Sequence, residues 1–234
     1  MTDSRHQDAA TELAGRDPVL ATLIHDGGPI SIPATTMSHF ESLVQAITYQ
    51  QLAEPAARTI YGRLVALLGG DVQPDAILAR TQAELHAVGL SANKAASVLD
   101  LAAKVSDATV ELDAEQLSAL SDQEIIDRLV TVRGIGPWTA EIFLMINLRR
   151  LDILPAADLG LRKGYALAWG TPLPTPKEFE ALAEPFRPYR SVFAWYCWRA
   201  AELYAGAPAS AVTGTTHEDT APIAAASTGD ARDA

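Results

Sequence analysis

The feature that most constrains the fold is the stretch from residue 121 to residue 164, SDQEIIDRLVTVRGIGPWTAEIFLMINLRRLDILPAADLGLRKG. Its start, Ser-Asp-Gln-Glu, is a capping box, and the apolar residues after it recur at helical spacing, so a helix is predicted there. This helix is expected to stop at Gly134-Ile135-Gly136. Pro137 suits the first position of a second helix, whose apolar face continues to Leu148. The sequence therefore predicts a helix, a glycine turn and another helix.

The glycine turn has two interpretations at this stage. Glycine lets the backbone approach a partner closely, and the start of the second helix offers unpaired N–H groups at its positive end, which together suit a phosphate. An ordinary αα-hairpin with a tight glycine turn has the same local sequence. For a single Gly-x-Gly between helices the ordinary hairpin is the commoner outcome, so other motifs must decide.

Several motifs in a fixed order carry a family resemblance. Residues 132–140 read VRGIGPWTA, residues 155–160 read PAADLG, and residues 188–199 read PYRSVFAWYCWR. Together they resemble the helix–hairpin–helix DNA glycosylase superfamily, and most of all its DNA-3-methyladenine glycosylase II branch. The similarity extends from about Phe40 to Arg199. It implies an all-α, two-lobed fold with the active site in the cleft between the lobes.

The resemblance also predicts the domain organisation. A single glycosylase domain is expected over residues 1–206, with one lobe at about 37–148 and the other formed by residues 1–36 and 149–205. Residues 207–234 are rich in Ala, Thr, Ser, Gly and Pro without any period, which predicts a disordered tail. Some members carry an extra N-terminal β-rich domain, and the compact form without it is expected here.

Composition limits the class of protein. The chain has 234 residues, of which 48% are apolar, so it can bury a good core. No apolar run approaches the roughly 20 residues of a membrane span, and we expect a monomer without membrane partners in the cytoplasm, associated with the nucleoid if the source is bacterial. The single cysteine, Cys197, excludes an internal disulfide and a four-cysteine iron–sulfur cluster.

The net charge of −11 argues at first against a DNA partner, because phosphate contacts require Lys and Arg. The charges are unevenly distributed, however. Residues 127–199 contain ten of the eighteen basic residues and seven acidic ones, a local balance of +3 that leaves −14 for the remainder. We therefore expect modest, salt-sensitive binding to double-stranded DNA.

Asp158 is the predicted catalytic residue. It follows Pro-Ala-Ala and precedes an apolar helix, so its default role is an N-cap, and the helix N-terminus favours its ionised form. The resemblance implies that this carboxylate stabilises the oxocarbenium-like sugar formed as the N-glycosidic bond breaks. Ala157 stands where many relatives have a second aspartate.

Two tryptophans are predicted to line the base pocket. Trp138 and Trp198 match family positions whose rings face the base, while Ile142 stands where some relatives have tyrosine. A tryptophan on an amphipathic helix is also a common core residue. Relatives that nick the strand have a lysine at position 138, where its amine forms a Schiff base. Trp138 therefore predicts a glycosylase without lyase activity.

The resemblance also implies a set of DNA contacts. The backbone of Gly134 and Gly136, together with Thr139 and Lys94, is expected to contact the DNA backbone. Gln51, with Leu52 beside it, is expected to fill the gap left by the extruded base. Two ordinary alternatives stay open: a solvated lysine on a helix face, and a residue pair that caps and packs a helix junction. Ala53 stands where the family often has serine, so a capping bond is doubtful there.

No cofactor is expected to be required. The five histidines lie far apart in the sequence, which gives no pattern of metal ligands. The resemblance implies a structural monovalent cation, K⁺ or Na⁺, on the carbonyls of Val130, Val132 and Ile135.

The predicted function is excision of alkylated purines, such as 3-methyladenine and 7-methylguanine, from duplex DNA in base excision repair. Two alternatives remain: a non-catalytic helix–hairpin–helix DNA-binding protein, and a glycosylase for deaminated or oxidised bases.

Overall fold

A computed structural model describes residues 4–32 and 36–205 of the chain. Every secondary-structure element within these residues is helical, which confirms the predicted all-α class. The tail predicted for residues 207–234 lies outside the described residues. The chain divides into two compact units: of the described residues, 4–32 and 144–205 belong to the first and 36–143 to the second.

The described residues form thirteen α-helices and one short 3₁₀ helix, Glu184–Phe186. Numbered in chain order, the α-helices are α1 (Ser4–Arg16), α2 (Pro18–Gly27), α3 (His39–Tyr49), α4 (Glu54–Leu67), α5 (Pro74–Leu78), α6 (Gln82–Ala87), α7 (Ala92–Ser106), α8 (Ala114–Ala119), α9 (Asp122–Leu129), α10 (Pro137–Ile146), α11 (Leu159–Trp169), α12 (Pro176–Ala183) and α13 (Arg190–Leu203). None of the helices in the described ranges is both long and apolar enough to span a membrane.

The second unit contains α3 to α9 and the start of α10. Side-chain caps fix its helix starts: Ser38 caps α3, Ser91 caps α7, and Thr81 and Ser121 form capping boxes at α6 and α9, the last as the sequence predicts. The core of the unit lies where the apolar faces of α3, α4 and α7 are buried; Ile47, Leu64 and Val98 are each 0% exposed.

The predicted continuation of α10 to Leu148 is wrong, because the helix ends at Ile146. The chain turns there with Arg149 in the left-handed region, at φ 52°. The Leu144 carbonyl then accepts a hydrogen bond from the Arg150 N–H at 3.0 Å. A helix through Leu148 would have used that carbonyl for its own i to i−4 bond.

The first unit is held together by α11 packed against α13, with α1, α2 and α12 around them. A cluster of aromatic rings forms its core: Tyr165, Trp169, Phe179, Phe186 and Phe193. Helices α11 and α13 cross at Gly164, where an added Cβ would lie 1.7 Å from the Cys197 carbonyl oxygen. Only glycine permits this approach, and it determines how the residues at the start of α11 face those of α13.

Candidate functional site

Asp158 is the N-cap of α11, as the sequence predicts. The Oδ1 atom of Asp158 accepts a hydrogen bond from the Leu161 N–H at 2.9 Å, and Asp158 is 9% exposed. The same oxygen lies 3.4 Å from Nε1 of Trp198 on α13, whose indole N–H donates to it. The structure therefore brings two of the predicted site residues together. Sequence reasoning did not anticipate this hydrogen bond, because the two residues are forty positions apart.

Gly160 keeps space beside this carboxylate. A Cβ on Gly160 would lie 3.0 Å from Oδ1 of Asp158 and 3.6 Å from Cδ1 of Trp198. A contact at 3.0 Å requires the carboxylate to shift by a few tenths of an ångström, whereas the contact with the indole would be an ordinary van der Waals one. Gly160 belongs to the PAADLG motif, but sequence reasoning did not identify it as a site residue.

The loop that leads to Asp158 is anchored by the start of α13. Arg190 binds Asp152 in a bidentate manner, Nε to Oδ1 at 2.8 Å and Nη2 to Oδ2 at 3.0 Å. Ser191 accepts the Ile153 N–H at 2.9 Å. Burial by itself raises the pKa of Asp152, but the hydrogen bonds and positive charge of Arg190, together with the charge of Arg187, outweigh it and hold that pKa below its usual value.

The glycine hairpin lies in the second unit, and its two glycines differ. Gly134 has φ +77°, and a Cβ on it would lie 2.5 Å from Oγ of Ser97. Gly136 has no left-handed backbone, and a Cβ added to it would have no atom within 4 Å. Gly134 is therefore required by the fold of the hairpin. Gly136 is required by nothing in the described part of the chain.

Helix α7 holds the hairpin from the side. Asp100 accepts the Arg133 N–H at 2.8 Å and also pairs with Lys104 at 2.9 Å, whose ammonium donates to the Thr131 carbonyl. Thr139, in the first turn of α10, is 8% exposed, which leaves little of its side chain for the predicted DNA contact. Its role stays a prediction.

Trp138 is the second residue of α10 and is half-buried. It belongs to the second unit, whereas Asp158 and Trp198 belong to the first. Its predicted place in the base pocket stays a prediction from the motif.

The turn between α3 and α4 carries the predicted wedge. Gln51 is exposed and has φ +55°, a backbone conformation that is uncommon for residues other than glycine. Leu52 beside it is half-buried. Ala53 is the N-cap of α4 and makes no side-chain capping bond, in agreement with the doubt raised by the missing serine. Strained backbone at an exposed residue is typical of functional turns, and the wedge role stays a prediction.

Lys94 has partners within the protein. Its ammonium donates to the Thr48 carbonyl at 2.9 Å and to the Gln50 carbonyl at 2.5 Å. Burial lowers the pKa of Lys94. The predicted contact with the DNA backbone stays untested, but the ammonium is already bonded to the end of α3. The alternative of a freely solvated lysine is therefore wrong.

The predicted cation site consists of backbone oxygens. The Val132 carbonyl accepts the Ile135 N–H at 3.1 Å, and a carbonyl has a second lone pair for a cation. The Val130 carbonyl lies at the end of α9, where carbonyls have no partner in the helical ladder. Such neutral oxygens suit a hard monovalent ion. Among the residues that the structure describes, no cluster of three or more His, Cys, Asp or Glu side chains could hold a metal ion.

The two glycines give a prediction about DNA binding. Gly136→Ala should leave the free energy of unfolding nearly unchanged, because its Cβ meets no neighbour. If a phosphate approaches the hairpin backbone, the same methyl group should weaken DNA binding about tenfold. Gly134→Ala, the comparison, should instead lower stability, because of its positive φ and the contact with Ser97. Urea unfolding and fluorescence anisotropy with labelled duplex separate the two effects; unchanged affinity in Gly136→Ala would contradict the phosphate contact.

The fold and these sites define the class of protein. Residues 44–188 match the model of the HhH-GPD superfamily base excision DNA repair proteins, and the chain belongs to that family. The predicted helix–hairpin–helix glycosylase fold and family are confirmed, and DNA glycosylase is the class of activity.

Individual relatives are similar over most of their length. DNA-3-methyladenine glycosylase 1 of Schizosaccharomyces pombe is 33% identical over 167 residues, which are 70% of this chain and 73% of that protein. The S. pombe 3-methyladenine DNA glycosylase Mag1, solved in complex with abasic DNA, is 31% identical with a TM-score of 0.72, covering 82% of this chain and 95% of that one. The DNA-3-methyladenine glycosidase of Bacillus halodurans is 32% identical with a TM-score of 0.76, covering 84% and 90%.

Proposed function

We propose that this protein is a DNA glycosylase that excises alkylated purines, such as 3-methyladenine and 7-methylguanine, from duplex DNA by hydrolysis of the N-glycosidic bond. The observation that carries the proposal is the Asp158 carboxylate at the start of α11, with two N–H groups on its Oδ1 atom. The names of the similar proteins agree with this substrate class.

Asp158 would act by electrostatic stabilisation. As the bond between C1′ and the purine nitrogen breaks, the sugar gains positive charge, and a fixed negative charge nearby stabilises this transition state more than the neutral ground state. The N–H groups of Leu161 and Trp198 hold the carboxylate in one orientation, so little reorganisation is needed during the reaction. Its other role would be to orient the attacking water.

Alkylated purines suit such a simple site. Purines alkylated at N3 or N7 carry a positive charge, so they leave easily and are attracted to the faces of aromatic rings. Trp198, half-buried beside Asp158, supplies an indole ring in the first unit. Extruding the base costs a few kcal/mol and is easiest for damaged, poorly stacked bases.

We further propose that the enzyme is monofunctional. Strand cleavage through a Schiff base needs an amine near C1′, and an indole such as that of Trp138 cannot form one. Incubation with a duplex that contains a 7-methylguanine and with borohydride should therefore trap no covalent protein–DNA adduct, and the abasic strand should stay intact until alkali is added. A trapped adduct at the size of one chain plus one strand would refute this part of the proposal.

The partner would be double-stranded DNA, bound by a monomer, in the cytoplasm or on a bacterial nucleoid. No cofactor would take part in the chemistry. The carbonyls of Val130, Val132 and Ile135 would hold a monovalent cation, K⁺ or Na⁺, which would supply positive charge beside a DNA phosphate.

One assay tests the proposed function. Release of free bases from methylated genomic DNA should be measured together with release from duplexes that contain hypoxanthine, ethenoadenine, uracil or 8-oxoguanine. The proposal expects 7-methylguanine and 3-methyladenine as the main products. Release of 8-oxoguanine or uracil without methylated purines would instead assign the chain to oxidised or deaminated bases.

A further inference from the structure

Lys94 lies at the wrong end of its own helix for a cation. It is the third residue of α7, whose N-terminus carries the positive end of the helix dipole and is capped by Ser91. Its ammonium is directed to the opposite kind of helix end, the C-terminus of α3, where it binds the carbonyls of Thr48 and Gln50. Carbonyls at a helix C-terminus have no ladder partner, and a cation there is favourable.

The two carbonyls lie just before Gln51, at the point where α3 passes into the turn. Gln50 is the C-cap of α3, and Gln51 follows it in the left-handed conformation. Within the described residues, the Leu52 N–H also donates to the Tyr49 carbonyl at 3.2 Å, the Gln50 side chain bonds to the hairpin, and Ala53 offers no side-chain cap to α4. The bond from Lys94 to the Gln50 carbonyl is therefore one of the hydrogen bonds that hold the turn.

Gln50 also connects the turn to the glycine hairpin. Its side-chain amide nitrogen, Nε2, donates to the Gly134 carbonyl at 2.9 Å. Gln50 thus connects Lys94 to the hairpin: its backbone oxygen accepts from the Lys94 ammonium, and its side chain donates to the Gly134 carbonyl. All of these residues belong to the second unit, which is compact by itself.

We infer that Lys94 is a positioning residue that fixes the turn at residues 50–52 relative to the hairpin at residues 134–136, so that Gln51 is presented to DNA in one conformation. This inference rests on the proposed function, since it assigns Lys94 to base extrusion. It replaces a contact between Lys94 and a phosphate by contacts within the protein.

The test compares Lys94→Met, which keeps the aliphatic stem, with Lys94→Arg, which keeps the charge, and with Lys177→Met, which removes a charge at an exposed position on α12. Each folded variant is assayed for duplex affinity at several salt concentrations, for base extrusion by 2-aminopurine fluorescence beside the target, and for single-turnover base release. Lys94→Met should lose about tenfold in extrusion and release, since misplaced groups cost rate without loss of binding. Lys94→Arg should lose part of both, and Lys177→Met neither.

The salt dependence separates the two roles of Lys94. Loss of one phosphate contact makes the negative slope of log K against log salt less steep by about 0.9. Loss of a positioning residue leaves the slope unchanged. A less steep slope in Lys94→Met with full rescue by Lys94→Arg would overturn the inference. Normal extrusion by folded Lys94→Met would also overturn it, because it would show a purely structural role.

If the wild type extrudes bases without releasing methylated purines, the proposed function fails, and the fluorescence and salt measurements still decide the role of Lys94. If Lys94→Met does not fold, Lys94→Arg decides: unaltered extrusion overturns the inference.

Discussion

Asp158→Asn should abolish base release while DNA binding persists. Asparagine is about as good an N-cap as aspartate, so α11 should keep its start and the loss of stability should stay below about 1 kcal/mol. The fixed negative charge is lost, however, and with it the stabilisation of the sugar cation. Removal of one electrostatic contribution of this kind costs at least about a hundredfold in rate. Single-turnover release of 7-methylguanine and duplex affinity measure the two properties separately.

The first unit offers a closely matched control, Asp17. Asp17 is the N-cap of α2, accepts the Leu20 N–H at 2.8 Å, and lies 3.3 Å from Nε1 of Trp169. Asp17→Asn therefore changes an N-cap with a backbone donor and an indole donor, as Asp158→Asn does, at a position with no assigned chemistry. It should keep full base release. Equal losses in both variants would point to a structural role of Asp158, and full base release by Asp158→Asn would show that this carboxylate is not catalytic. DNA binding without base release by the unsubstituted protein would favour a non-catalytic DNA-binding protein.

Gly164→Ala should cause the largest loss of stability, about 3 kcal/mol or more. Its Cβ would lie 1.7 Å from the Cys197 carbonyl oxygen and 2.7 Å from the carbonyl carbon, so the backbones of α11 and α13 must separate. Overpacking against backbone cannot be relieved by a change of side-chain rotamer. Because Asp158 begins α11 and Trp198 lies on α13, the separation should also break their hydrogen bond and reduce base release. Urea unfolding measures the first effect.

Gly62→Ala is the control for this substitution. Gly62 lies within α4, has no left-handed backbone, and has no atom within 4 Å of an added Cβ. Alanine there should raise stability by about 0.5–1 kcal/mol, because it favours the helix and restricts the unfolded chain. A loss in Gly164→Ala no larger than the change in Gly62→Ala would show that α11 and α13 do not pack as closely as described.

Local chemistry explains why the sequence predicts the helix starts so well. Ser121, Pro137 and Asp158 start their helices as predicted, because each signal depends on residues within one turn. Thr81 and Thr175 form capping boxes of the same local kind. The predicted end of α10 was wrong because it depends on a contact outside the local sequence pattern. The apolar period continues to Leu148, but the Leu144 carbonyl is bonded to Arg150, and no short sequence pattern announces that turn.

Lys94 shows the same difference between local sequence signals and contacts that are distant in the chain. Its position in a family-like segment suggests a DNA contact, but its two carbonyl partners are 46 and 44 positions away. The ion pair of Arg190 with Asp152, which anchors the loop that leads to Asp158, was likewise not predicted from the sequence, because the two residues are 38 positions apart.

The sequence by itself therefore determined the all-α class, the family, the caps and the candidate carboxylate, because helix signals and motif residues are local in the chain. Only the tertiary structure decided that the Trp198 indole bonds to Asp158, that Gly164 sets the contact of α11 with α13, and that Lys94 closes the end of α3. These contacts join segments that are distant in the chain. Their geometry depends on how whole helices pack, which no single segment specifies.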